Sequence, residues 1–120
     1  MLKPPFKHFL ASVLAASFSM PMAWADTFPV KPVRIVVGFS PGGSNDIVAR
    51  MIAPKLGELL GQQVVVENKP GAGGAIAISA VLASPADGHT LSMCTTGTSS
   101  IQPHLGPLPF NPDTDLMPVT

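Results

Sequence analysis

Val33–Leu60 reads VRIVVGFSPGGSNDIVARMIAPKLGELL, and these 28 residues decide the fold class. Val33 to Phe39 is β-branched and almost continuously apolar, which predicts a strand buried on both faces. A Ser-Pro-Gly-Gly turn ends it. From Asn45 to Leu60 the apolar positions Ile47, Val48, Met51, Ile52, Leu56, Leu59 and Leu60 recur at steps of three and four. That spacing predicts an amphipathic helix, with Gly61 as its stop. Pro54 lies inside it and is expected to remove one hydrogen bond and kink the helix. Between strand and helix, Ser44 or Asn45 is the expected cap, its side-chain oxygen accepting from a first-turn amide.

The same alternation continues outward. Val64 to Glu67 (VVVE) predicts a second strand, Asn68 to Gly74 a glycine-rich loop, and Ala75 to Ala83 a second helix. Ser84-Pro85-Ala86-Asp87-Gly88 ends that helix, and Thr90 to Cys94 (TLSMC) predicts a third strand. Thr95 to Ser100 follows as a loop dense in hydroxyls. A β-α-β-α-β order implies an α/β fold with a parallel sheet, because parallel neighbours need crossover connections and a helix is the usual one. The three loops that follow strands then share one edge, where doubly wound sheets take their ligands. Beyond them, Leu108-Pro109-Phe110-Asn111-Pro112 and Asp113-Thr114-Asp115 are turn-rich, and Met117 to Thr120 reads as the approach to a further strand. The expectation is an amino-terminal fragment or a truncated reading frame.

Towards the amino terminus, Lys3 and Lys7 precede an apolar run from Phe9 to Met22 and a small-x-small site at Ala23-Trp24-Ala25. This is the grammar of a secretory signal peptide over residues 1–25, cleaved before Asp26. Ser12, Ser17, Ser19 and Pro21 interrupt the run, which argues against a span needing roughly 20 apolar residues. No cysteine follows the site to carry a lipid. Of 120 residues, 95 (26–120) would remain as mature protein. Losing Lys3 and Lys7 leaves five basic residues against seven acidic ones, a charge near −2 with no basic patch for nucleic acid. Cys94, the single cysteine, excludes an internal disulfide and is expected as a small buried side chain on the third strand. No spacing of Cys or His suggests a metal.

Two glycine-rich loops face the same predicted edge. Pro41-Gly42-Gly43-Ser44-Asn45-Asp46 and Lys69-Pro70-Gly71-Ala72-Gly73-Gly74 each open a helix. Glycine admits a ligand close to the backbone, and a helix amino terminus offers partial positive charge to an anion. Thr95, Thr96, Thr98, Ser99 and Ser100 add hydroxyl donors, and Lys69 is the only base nearby, so the expected site is neutral and suited to small acids rather than phosphates. Stricter motifs fail. Gly71-Ala72-Gly73-Gly74-Ala75-Ile76 puts Ile where a dinucleotide fingerprint needs its third glycine. Gly42-Gly43-Ser44-Asn45-Asp46 ends in Asp where a nucleophile elbow needs glycine, which weighs against a hydrolase using Ser44. His89 and His104 read as surface or packed imidazoles. The residues point to a binding protein without catalytic residues, cofactor or metal.

Together these stretches resemble the Bug, or TctC-type, extracytoplasmic solute-binding receptors of tripartite tricarboxylate transporters. The resemblance rests on Pro41-Gly42-Gly43 followed by Asp46, on Glu67-Asn68-Lys69-Pro70-Gly71-Ala72-Gly73-Gly74, on Asp87-Gly88 before a strand, and on LPFNPDTDLMPVT at the end. It implies a periplasmic two-lobed binding protein of type II, closing around a small carboxylate for membrane subunits of the transporter, with this chain as the first part of lobe one. It also implies ligand-facing roles for Gly42, Gly43, Ser44 and Asp46, for Ala72, Gly73 and Gly74, and for Thr96, Gly97, Thr98 and Ser99. The chain departs from the pattern at Ala75, where Asn is usual, at Ala77, where Gly is frequent, at His89, and near Gly106-Pro107, one residue short. Ala75 removes an amide from the second helix start, so the ligand's identity does not carry over with the fold. The other reading of such a lobe is a sensor presenting its bound acid to a signalling partner.

Overall fold

The computed structural model describes residues 27–119. The signal region, its cleavage after Ala25 and the mature start at Asp26 lie outside the described residues. Three strands form one parallel sheet: β1 (Val33–Val37), β2 (Val64–Asn68) and β3 (Thr90–Met93). Their order is β2-β1-β3, with Val33 opposite Val64 and Arg34 opposite Thr90. α1 (Ser44–Leu60) joins β1 to β2, and α2 (Ala75–Leu82) joins β2 to β3. The chain steps to one side of β1 and then back across it. Right-handed crossovers in opposite directions put the two helices on opposite faces of the sheet.

That sandwich explains β1, where Val33, Ile35, Val36 and Val37 are all buried. On one face Ile35 and Val37 pack with Ala49 of α1, backed by Leu56, Val64, Val66, Leu91 and Met93. On the other, α2 lies so close that a Cβ built on Gly38 would fall 2.7 Å from the Gly74 Cα and 3.3 Å from the Ala77 Cβ. The outer side of α2 is closed by the carboxyl-terminal segment, whose Phe110 is buried against Ala75 and Ile78. This segment carries only a short helical turn, Pro112–Asp115, capped by the Asn111 side chain accepting from the Asp113 amide. The strand anticipated towards residue 120 is not formed over Met117–Val119.

Several local readings are corrected. β1 stops at Val37: Gly38 and Phe39 leave the ladder, Gly38 passing close to Gly74 and Ala77 while Phe39 packs on the α1 side with Ile35, Val37 and Ala49. α1 runs through Pro54 without interruption and ends on Gly61 in the left-handed conformation, φ 68°. Its cap is neither Ser44 nor Asn45: Gly43 holds the cap position and makes no side-chain bond. Asp46, in the first turn, reaches back past the cap to accept from the Gly42 amide at 2.9 Å. Cys94 lies just past β3 and is exposed, its thiol 3.2 Å from the Ser92 hydroxyl. The hydroxyl-rich run is not a loop but a helix: a π-helical turn over Gly97–Ile101 leads into α-helical Gln102–Leu105. His89 is buried against the Phe28 ring, centroids 4.8 Å apart, while His104 is exposed.

Candidate functional site

Because all three strands are parallel, the loops leaving them emerge along one edge. β1 lies between β2 and β3, and the strand order reverses there, which is where such sheets bind ligands. The first loop is held by a network around Asp46, only 3% exposed. Its carboxylate accepts from Gly42 N–H, from Arg50 Nε at 3.0 Å and from Asn68 Nδ2 at 2.9 Å. Asn68 also donates to the Phe39 carbonyl at 3.1 Å and accepts from Arg50 Nη2 at 3.0 Å. The Arg50 guanidinium, then the Gly42 amide and Asn68, hold the Asp46 pKa down at about 2. Asp46 is therefore ionised at neutral pH, and the donors that stabilise it are the chain's own.

The second loop and the hydroxyl helix meet directly. Ala72–Gly74 forms a 3₁₀ turn with Gly73 at φ 63° and Gly74 at φ 97°, conformations that favour glycine. The buried Thr98 hydroxyl donates to the Gly73 carbonyl at 2.6 Å. A Cβ on Gly74 would lie 2.8 Å from that hydroxyl oxygen, so this contact also requires glycine. Gln102 adds a bond from Nε2 to the Ala72 carbonyl at 2.9 Å. Ser99 Oγ turns back to the Thr95 carbonyl, leaving Thr96 and Gly97 on the exposed side of the turn.

Among the residues singled out from sequence, Ala72, Gly73 and Gly74 are thus joined to Thr98, while Gly42 and Asp46 are joined to the end of β2. No hydrogen bond links these two groups among the described residues. Gly42 N–H serves Asp46 and Gly43 N–H serves the Ser40 carbonyl at 3.2 Å. Outward-facing amides on this loop begin with the exposed Ser44. Lys69 pairs with Glu67 at 2.8 Å, and Glu67 also takes Arg34 at 2.6 Å. Lys69, then Arg34, hold the Glu67 carboxyl below its ordinary pKa. With Lys69 and Arg50 both matched by carboxylates, the edge offers neutral donors. Sequence reading missed Arg50, Asn68 and Gln102. The four-residue spacing of Asp46 and Arg50 was a signal for the first, whereas nothing local announces the other two.

Residues 48–120 match the family described as the Tripartite tricarboxylate transporter family receptor. BugT of Bordetella pertussis is 39% identical over 113 residues, covering 90% of this chain and 33% of BugT. Among solved structures, MatC from Rhodopseudomonas palustris with bound malate is 37% identical, with a TM-score of 0.66 over 77% of this chain and 32% of MatC. An R. palustris protein solved with adipate is 44% identical, with a TM-score of 0.56 over 58% of this chain and 23% of its own. The chain spans about a third of the length of the curated relatives it matches. It belongs to the tripartite tricarboxylate transporter receptor family, and its fold is part of a periplasmic binding protein. Among the described residues, no helix is long and apolar enough to cross a membrane.

Proposed function

We propose, with membership of that family as the premise, that this chain supplies the first-lobe part of an exported receptor that captures a small carboxylate for membrane transporter subunits. The observation that carries the reading is the neutral edge where two helix starts and a hydroxyl helix gather, with Thr98 fixing the second glycine turn from 25 residues away. Such an edge binds a carboxylate through amide and hydroxyl donors and releases it readily, because the cations beside it, Lys69 and Arg50, are already paired with Glu67 and Asp46. Malate in MatC and adipate in the R. palustris relative support the ligand class. Ser44, the Ala72–Gly74 turn, Thr96, Gly97 and Ser99 are assigned to the ligand. Asp46 and Thr98 act through the backbone they position.

Amide spectra recorded during titration with malate, adipate or citrate test this reading. Saturable shifts are expected at Ser44, Asn45, Gly73 and Gly97, and none with the uncharged diamide of the same acid. The affinity is expected to be weak, because a ligand on an open edge keeps water competing for each bond, which nets only about 1 kcal/mol. Shifts confined to other faces of the sheet, or equal shifts with the diamide, would defeat the assignment. Export makes a separate expectation: mass spectrometry of periplasmic protein should find Asp26 as the first residue. Intact Met1 on that material would count against cleavage.

A further inference from the structure

A second surface lies away from the carboxyl edge. The ladder bonds at the two ends of the β1–β2 pair run from Val33 N–H to the Gln63 carbonyl and from Lys69 N–H to the Val37 carbonyl. A parallel strand turns alternate peptide groups to opposite sides, so Gln63, Val65, Glu67 and Lys69 face β1. The N–H and C=O groups of Val64 and Val66 therefore point away from the sheet, and β2 is an edge strand. Among the described residues no strand pairs with that edge, and VVVEN has neither proline nor bulge, with a continuous register. Beside it runs a groove of about 600 Å³, floored by Val64 and Val66 and walled by Ala53, Pro54 and Gly57 of α1. The wall is low because these side chains are small.

The two ends of the groove differ, and the difference selects an occupant. Arg50 stands at the Asn68 end, and Gln62 and Gln63 stand at the other. The Arg50 charge is already met by Asp46, with Nε 3.0 Å from both carboxylate oxygens. Its remaining N–H donors suit neutral carbonyls better than a further acid. The glutamines carry such carbonyls. Two β2 strands laid antiparallel about Val66 set Val64 opposite Asn68 of the second copy, which brings each Arg50 to the other copy's glutamines. A two-fold axis perpendicular to the sheet also keeps both α1 helices on one face and side by side. There Ile47 and Met51, 51% and 73% exposed, continue the groove wall, being one helical turn from Arg50 and Pro54.

We propose that two copies of this chain associate through the outer edges of β2, antiparallel about Val66, forming one six-stranded sheet with α1 packed beside α1. The interface is isologous and closed, and it covers the β2 edge, the groove and the exposed apolar flank together. Its formation does not depend on the ligand reading.

Sedimentation equilibrium of the purified chain, from micromolar to hundreds of micromolar, is the test. A monomer–dimer equilibrium is expected. Val66→Pro deletes the outward N–H without touching the β1 ladder, and Met51→Glu alters only a solvent-facing side chain. Each should raise the dissociation constant about tenfold or more, with far-ultraviolet circular dichroism unchanged. Should Val66→Pro fail to fold, Met51→Glu decides. Ser92→Pro, which removes an outward N–H from β3 instead, should leave the dimer intact. A monomer throughout the range, a dimer or larger species indifferent to Met51→Glu, or one dissolved by Ser92→Pro would each overturn the proposal.

Discussion

Asp46→Asn is expected to lower stability most at neutral pH and scarcely at all near pH 2. Asp46 ionises at about 2 in the folded chain against 3.8 ordinarily. A carboxyl whose pKa is depressed by folding contributes stability that is complete above its ordinary pKa and is lost as pH falls through the folded value. The window is therefore about pH 4 down to 2. Asparagine keeps the shape but cannot carry the charge that Arg50, Gly42 and Asn68 all donate to, and one of its two positions presents N–H to those donors. Glu67 and Asp87 are depressed as well, Asp87 chiefly by Lys31 and then by the His89 amide. A simple acid titration consequently mixes three groups. The useful measurement is the difference in urea midpoint between the parent and Asp46→Asn at pH 7, 4, 3 and 2. A difference that does not shrink through that window would show that the Asp46 charge is not what holds the first loop.

Gly38→Ala is expected to lower the melting temperature by about 10 °C or more, the scale of an overpacking penalty of about 1–3 kcal/mol in a domain this small. The new Cβ would meet the Gly74 Cα at 2.7 Å and the Gly74 carbonyl oxygen at 3.2 Å. Both are backbone atoms and cannot swing aside, and the neighbouring Gly73 carbonyl is held by the Thr98 hydroxyl. To relieve the clash α2 must lift from β1, so the second turn should move with it. Gly42→Ala is the control. It adds a Cβ with nothing within 4 Å and differs only in forcing φ +82° on alanine, a penalty of about 1–2 kcal/mol that stays in the loop. Both variants should melt earlier in calorimetric scans, and amide shifts at Thr98, which separate them, should appear only for Gly38→Ala. A Gly38→Ala melting point equal to the parent's, with no change at Thr98, would mean that the sheet and α2 are not held at this distance.

These two glycines show where sequence reading stopped. The expectation that Pro41–Asp46 and Lys69–Gly74 approach a ligand through bare backbone treated glycine as an opening. At Gly38 and Gly74 glycine also admits another part of the same chain, a use that the residue type alone does not announce. The expectation of a cap at Ser44 or Asn45 is the one that the structure corrects. Both are competent caps by residue type, but the Gly42 amide finds Asp46, and Asp46 is held there by Asn68, which is 22 residues away. Local preference was sound and a distant partner outweighed it.

By itself the sequence determined the β-α-β-α-β order, the parallel sheet, the helix stop at Gly61 and the gathering of three loops on one edge. Those features follow from β-branching, three- and four-residue apolar spacing and turn chemistry, all properties of neighbouring residues. Only the tertiary structure decided that the hydroxyl run is a helix whose Thr98 is buried, that Cys94 is exposed, that Phe110 closes the core over α2, and that Asp46 and Lys69 are occupied by partners within the chain. It also decided that β2 rather than β1 lies at an edge with its peptide groups open. Whether a polar group faces a ligand or its own chain depends on what lies opposite it in space. Residue type and spacing name the available donors and acceptors, while burial and long-range approach choose among them.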